Sequence, residues 1–407
     1  MSQTLTITAE QVLASAERIR EDIVRDRRTL HAAPEVGTDL PNTVACVKKR
    51  LLEMGYQPRE LAGGVVAEIT GTETGRCLLL RADMDALRVT EQTGLDFASA
   101  NGCMHACGHD MHITILLTAA RILCENRDKF PGSVKLIFQP AEEAANPSDT
   151  TGGALHMVEY GCMENPHVDA IIALHMNPAT PDHNCQFAIK KGVITSGFDI
   201  YRFDVHGKTA HGSQPQNGND AILALSQLIV LLQQVVSRNT DPLKTAILSV
   251  GTISGGSRVN IIPDYATAGG CFRYYDNETA KVIRENTFAI AKGVETLSGC
   301  KVDVQALTGY ACVENDDKLV DLISETLTEE LGENSVVWLD EPASGSEDFS
   351  YYGLATGTPA ALMWLNCEQY TGEETYALHS SKCIFKPEAI KAGAEGFVSI
   401  AIKYLNS

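Results

Sequence analysis

A chain of 407 residues is too long for one ordinary hydrophobic core, so two or more domains are expected. With 44% hydrophobic and 21% charged residues it can bury such cores, and 52 acidic against 33 basic side chains, net −19, exclude nucleic acid and anionic membrane surfaces as electrostatic partners.

The N-terminal stretch has no basic flank followed by an apolar run, and its 3.6-residue periodicity predicts an amphipathic helix over 8–31 in place of a targeting signal. A cytoplasmic protein is the expectation. A second helix over 43–55 leads into strands at 64–69 and 77–82. A helix begins near 109, followed by the apolar strand SVKLIFQ, a helix over 152–160 and the strand DAIIALH. From about 195 the texture changes: the strand-like segments SGFDIYRFDVHG, KTAILSVGTISGG, ATAGGCFRYYD and CKVDVQALTG are spaced by helices over 219–238 and 278–297. The first of these helices carries AILALSQLIVLLQQVV from Ala221, read as too short and too polar to span a bilayer. Near 315 the first texture resumes with helix 317–332, strand 360–365 and helix 388–405.

Helices interleaved with short apolar strands predict an α/β layer on a largely parallel or mixed sheet. The fold expected is a two-domain α/β protein: a mixed-sheet domain formed by 1–194 and 310–407, interrupted by an inserted α+β domain at 195–309. Twelve cysteines scattered over so long a chain predict reduced thiols, with Cys46, Cys124 and Cys271 read as small buried hydrophobes.

Chemistry in open α/β sheets collects beyond the carboxyl ends of the strands, and four polar clusters stand at such places: RADMDAL, MHACGHD, QPAEE and LHMNP, with ALHSS late in the chain as a fifth. Each has an ordinary reading when taken alone. Asp83 and Asp85 are common turn residues, His175 is a satisfied structural histidine, Glu142-Glu143 is a solvated pair, and a lone Cys-x-His at Cys107 and His109 is a weak zinc signal. Several such coincidences at successive strand ends are less probable than one metal site. A thiolate, imidazoles and a carboxylate are a ligand set for Zn2+, with Co2+, Mn2+ or Ni2+ as competitors. Two adjacent glutamates can then divide the work, one binding metal and one taking a proton from water whose pKa the metal brings from about 15.7 toward about 7.

The run RADMDALRV, MHACGHDMH, LIFQPAEE, ALHMNP, VHGKTAHGSQP, NIIPDYATAGGCFR and GSEDFS, in this order, resembles the zinc-dependent N-acyl-amino-acid amidohydrolases. That group includes aminoacylases, hippurate hydrolases and auxin-conjugate hydrolases, and is related to glutamate carboxypeptidase and the di- and tripeptidases. The resemblance spans nearly the whole chain. It implies a metallohydrolase domain binding two divalent ions, most simply Zn2+, with Cys107 as the bridge and His109, Glu143, His175 and His379 as the other ligands. It makes Glu142 the general base and Asp85 a carboxylate that orients a ligand, while Asp83 supports the site and His105 and His112 are structural. The inserted domain is implied to be a dimerisation lid making a homodimer, with His211 steadying the oxyanion in the partner subunit's site. Asn260 and Arg273 would hold the carbonyl and carboxylate of the substrate; an ordinary edge arginine is the other reading of Arg273. The implied reaction cleaves the amide bond of a small N-acyl amino acid, and a dipeptidase or carboxypeptidase of the same superfamily is the alternative. A catalytically silent metal or thiol sensor would have no use for Glu142 beside Glu143.

Departures from the family pattern are Arg88 where proline is usual, Ser381 where His-Ser-Pro would end, and Lys208-Thr209 where small residues are common. None removes a ligand, and they bear on the acyl pocket.

Overall fold

The structure is a computed structural model that describes residues 17–18, 20–143, 152–371 and 374–407. It forms two compact units, one of residues up to Ile194 with 314–341 and 348–407, the other of 195–313 with 342–347. The part of the expected first helix that precedes residue 17 lies outside the described residues; the remainder is helical over Arg20–Ala32.

An eight-stranded mixed sheet forms the first unit, in the order Arg59–Leu61, Gly64–Thr70, Ser133–Gln139, Cys77–Asp83, Ala170–Pro178, Ala360–Cys367, Phe187–Ile189, Val336–Trp338. Its four inner strands, from Ser133–Gln139 to Ala360–Cys367, are mutually parallel, so their carboxyl ends emerge along one edge. These strands are buried on both faces, which is why they read as near-continuous apolar runs without alternation. Helix His109–Glu125 is apolar almost all round and correspondingly buried. It packs on the last helix, Glu388–Asn406, where a Cβ added at Gly393 would stand 2.8 Å from Ile115 Cδ1. Helix starts follow local chemistry: the Asp316 carboxylate accepts the Leu319 N–H ahead of Asp317–Leu331, and Pro41 opens Pro41–Glu53, two residues before the expected start. The strands Arg59–Leu61, Phe187–Ile189 and Val336–Trp338 and the helix Ser350–Thr356 have no counterpart in the sequence reading, being too short for a periodic signal.

The second unit is a four-stranded antiparallel sheet, ordered Ala246–Gly255, Tyr265–Tyr274, Gly197–His206, Lys301–Thr308, covered by helices Ala221–Gln234 and Asn277–Ser298. In Gly197–His206 the residues Tyr201, Phe203 and Val205 are buried while Arg202 and His206 are exposed, the alternation of a sheet with one covered face. Asp220 and Asp276 cap the two helices through the N–H groups of Leu223 and of Glu278 and Thr279, and Gly299 at φ 70° ends the second. This unit extends past 309 because Phe198 N–H donates to Tyr310 O and Val313 N–H to Thr195 Oγ1; it also takes in 342–347, since Ser196 N–H reaches the carbonyls of Ala343 and Gly345. Such long-range bonds leave no mark on sequence periodicity.

A π-helical turn, Val235–Asn239, prolongs Ala221–Gln234, and the joined segment of 19 residues is the one described helix long and apolar enough to cross a membrane. Length and composition alone pass that test, against the reading of its apolar stretch as too short and too polar, but Ala224, Leu225, Leu228 and Leu232 are buried in the core of their unit and the helix is not a clear membrane span. All twelve cysteines are free thiols, with Cys46, Cys124 and Cys271 only half-buried, contrary to their reading as core residues.

Candidate metal centre

Four loops and strand ends of the first unit bring the predicted polar groups together. Gly108 adopts φ 86°, and this left-handed residue turns the chain from Cys107 into the helix that begins at His109. Two other turns are held in the same region by non-glycine residues, Ala141 at φ 55° before Glu142 and His379 itself at φ 68°. Such strain persists where surrounding bonds over-determine it. Ala141 N–H donates to Gly37 O, and His379 N–H to Ala106 O, one residue from Cys107.

Asp85 organises the adjacent glutamates. Its carboxylate accepts the N–H of Glu142 at 2.9 Å and of Glu143 at 3.1 Å, and its backbone carbonyl accepts His109 Nδ1–H at 2.8 Å. That last bond commits Nδ1–H to Asp85 and turns Nε2 toward the carboxylates as the nitrogen available to a metal. His109 Nε2 is buried with no hydrogen-bond partner among the described residues, and Asp83 Oδ2, Glu143 Oε1 and Glu142 Oε2 stand 3.7, 3.8 and 3.9 Å away. His175 is set the same way: Nδ1–H donates to Met176 O at 2.8 Å while Nε2 lies 3.4 Å from Cys107 Sγ. His379, half exposed, puts Nε2 3.4 Å from Glu143 Oε1.

Among the described residues, ligand atoms fall into five groups within which all lie inside 4.8 Å: Cys107, His109 and His175; Cys107, Glu143 and His379; His109, Glu142 and Glu143; Asp83, His109 and His112; and Glu142, Glu347 and Asp348. The electrostatics of this cluster ask for a cation. Burial pushes the Cys107 thiol well up, and the carboxylates of Glu143, Glu142 and Asp83 push it further. For Glu143, burial acts upward but His379 and His109 outweigh it and bring the carboxyl below its ordinary value. Burial lowers His109 too, yet Asp83, Asp85 and Glu143 together raise it to about 10, so without a cation Nε2 keeps a proton that a bound metal would displace. Burial and the neighbouring His112 hold His175 well below the usual histidine value, so it is a neutral donor. A buried imidazole nitrogen among three carboxylate oxygens and a thiol crowded by carboxylates are what a divalent cation would satisfy, so the residues present fit a metal.

Asp83, read as support, is fully engaged, with Oδ1 2.5 Å from His112 Nδ1 and Oδ2 accepting Arg81 Nη1–H at 2.6 Å. The residue that sequence reasoning missed is Asp348. It is buried, and it accepts from Arg81 Nη2–H, from Gln139 Nε2–H and from Ala154 N–H, tying together the Cys77–Asp83 and Ser133–Gln139 strands and the helix Gly152–Glu159. It stands inside GSEDFS, a motif noticed but given no role. A second unassigned network lies behind His109, where Asp110 accepts from Arg27 Nε–H at 2.8 Å and pairs with His31 Nδ1 at 2.9 Å.

His211, Asn260 and Arg273 belong to the second unit. His211 is exposed, and Nδ1 pairs with Ser213 Oγ at 2.7 Å and accepts Ser213 N–H. The two-stranded pairing of His211 with Ile261 brings it beside Asn260, whose carbonyl accepts Gly212 N–H. Arg273 donates Nη1–H to Ser344 O at 3.1 Å and to the hydroxyls of Ser196 and Ser346 at 3.3 Å. Its strand runs between Gly197–His206 and Ala246–Gly255, so it is an inner residue and no edge arginine.

The sequence pattern of the peptidase family M20/M25/M40 matches residues 79–403, from the Cys77–Asp83 strand to the last helix. The chain belongs to that family. Among M20 relatives, N-acetyl-L-cysteine deacetylase of Bacillus subtilis is 37% identical over 351 residues, 86% of this chain and 81% of its own. Hippurate hydrolase of Campylobacter jejuni is 36% identical over 382 residues, 93% of this chain and 95% of its own. The crystal structure of the Bacillus subtilis YXEP protein, described as a dinuclear metal binding peptidase of family M20, superposes with a TM-score of 0.81 at 28% identity, covering 96% of this chain and 99% of that one. This M20 chain is accordingly a metal-dependent amidohydrolase with a mixed α/β fold.

Proposed function

We propose that this protein hydrolyses the amide bond of N-acyl amino acids, releasing a carboxylic acid and a free amino acid. The observation that carries the reading is the Glu142-Glu143 pair, whose two amides are pinned on one Asp85 carboxylate, so that adjacent side chains are held for two tasks. Cys107, His109, Glu143, His175 and His379 would hold two divalent ions, with Cys107 shared, since its sulfur belongs both to the group with His109 and His175 and to the group with Glu143 and His379. The mixed sulfur, nitrogen and oxygen donors suit Zn2+, with Mn2+, Co2+ and Ni2+ as competitors. Such ions, when bound, acidify water and polarise the amide carbonyl. Glu142, buried beside His109, takes the proton of the attacking water and returns it to the departing amine, one carboxylate serving as base and then acid. His211 steadies the oxyanion, and Asn260 and Arg273 hold the substrate's carbonyl and carboxylate.

A homodimer through the second unit belongs to the same proposal. Strand Ala246–Gly255 is an edge strand exposing Ile247 and Ile253, and the neighbouring helix exposes Leu223 and Val230.

The test is amino acid release from a panel of N-acetyl, N-benzoyl and long-chain N-acyl amino acids, with unblocked dipeptides alongside, by protein loaded with zinc or manganese. Turnover of the acylated compounds that a chelator abolishes, and that Glu142→Gln removes while keeping its metal, supports the proposal. Cleavage of dipeptides alone moves the protein to the peptidase branch, and silence across the panel refutes it.

A further inference from the structure

Both ring nitrogens of His112 are engaged, and neither by a group of the proposed ligand set. Nδ1 lies 2.5 Å from Asp83 Oδ1, and Nε2 accepts Met176 N–H at 2.8 Å. An acceptor at Nε2 puts the ring proton on Nδ1, where it is donated to Asp83. Met176 follows His175 in the chain, and its carbonyl is the acceptor of His175 Nδ1–H. The His112 ring also lies against the His175 ring, edge to face, with centroids 4.7 Å apart. The sheet explains why a side chain is needed here. Pairing of Ala170–Pro178 with Cys77–Asp83 stops at Arg81 opposite Ala173, while its other edge stays paired with Ala360–Cys367 through to Pro178. His112 occupies the place beyond the last rung and accepts a backbone N–H that no strand takes.

We propose that His112 is a positioning residue, a relay from the Asp83 carboxylate to the backbone at Met176 that fixes the ring orientation and tautomer of His175 as a metal ligand. The inference rests on the reading of His175 as a ligand and deepens it. Asp83 is itself fixed by Arg81, so the relay starts from a buried, immobile anion. Groups that orient ligands in this way change metal affinity by about 10- to 100-fold when removed.

Two amide substitutions, His112→Gln and His112→Asn, separate the halves of the relay. A glutamine side chain carries an oxygen near the Nε2 position and can accept from Met176, whereas the shorter asparagine reaches only the Nδ1 position. Each variant is loaded with Co2+, and cobalt bound per chain and the cobalt–thiolate absorption band from Cys107 are followed in competition with a chelator. The expected result is a loss of about 10- to 100-fold with a shifted band for His112→Asn, which leaves Met176 N–H without its acceptor, and a smaller loss for His112→Gln, which keeps that bond and gives up only the one to Asp83. A measurement on the wild-type protein stands beside these in case a variant misfolds: 15N spectra of histidine-labelled protein should show His112 as the Nδ1–H tautomer. Wild-type affinity in both variants, equal losses in both, or an Nε2–H tautomer would overturn the relay. Wild-type protein that takes up no cobalt would instead overturn the metal reading, and the relay with it.

Discussion

Arg81 offers the sharpest test of how the site is held. Its side chain is fully buried, donating Nη1–H to Asp83 at 2.6 Å, Nη2–H to Asp348 at 2.9 Å and Nε–H to Gln139 at 2.9 Å. Arg81→Met keeps the length and apolar stem but removes the cation between two buried carboxylates. Breaking a buried pair from one side costs about 3–5 kcal/mol, because the remaining charge is neither solvated nor compensated. Here two carboxylates lose the same cation, so a cost in the upper half of that range is expected. Urea unfolding of metal-free protein followed by tryptophan fluorescence reads it, since both tryptophans, Trp338 and Trp364, lie in the same unit as Arg81. Asp348→Asn on the Arg81→Met background should cost at least about 1 kcal/mol less than on wild type, the coupling expected of neighbours in one network. A loss below about 1 kcal/mol in Arg81→Met, or strict additivity, refutes the claim that this charge chain braces the strand ends.

Gly108→Ala places a Cβ 2.8 Å from Phe385 Cε2 and 3.0 Å from Met176 Cγ at φ 86°, so about 2–4 kcal/mol of stability and much of the metal uptake should be lost; wild-type metal content and melting would refute this. Glu91 is raised by burial but lowered more strongly by hydrogen bonds from His31, Thr93 and Ser99 N–H, ending at about 2 from 4.5. A carboxyl depressed on folding contributes stability above its unfolded value and loses it as pH falls through the folded one, so the cost of Glu91→Gln, about 3 kcal/mol at neutral pH, should shrink between about pH 4.5 and pH 2. A constant gap between the two melting curves over that window counts against it. Finally, Glu142→Gln and His211→Ala proteins, each inactive alone, should regain partial activity when mixed and allowed to exchange subunits; no recovery would mean that His211 does not act in a partner's site.

The parts of this molecule legible in one dimension are those set by local chemistry. Long buried strands and amphipathic helices announce themselves by apolar runs and periodicity, and the caps at Asp220, Asp276 and Asp316 were where short polar side chains precede helices. The polar residues that converge in the first unit stood out because each ends an apolar strand or opens a buried helix, an uncomfortable place for Cys107, His109, Glu142 or His175 unless something binds there. Asp348 and His112 were not legible, because their roles depend on partners far away in sequence, Arg81 and Gln139 for one and Met176 for the other.

Residue type and spacing by themselves determined that the chain is an α/β enzyme with a metal-ligand inventory, since burial and donor chemistry are properties of side chains in order along a strand or helix. Which lone pair faces which, and therefore which histidines are free to bind and which are committed to bracing, was decided only in three dimensions. Asp85 holding two amides, His109 Nε2 set among three carboxylates and His112 closing an unfinished sheet are products of strand ends meeting, and no periodicity encodes that meeting.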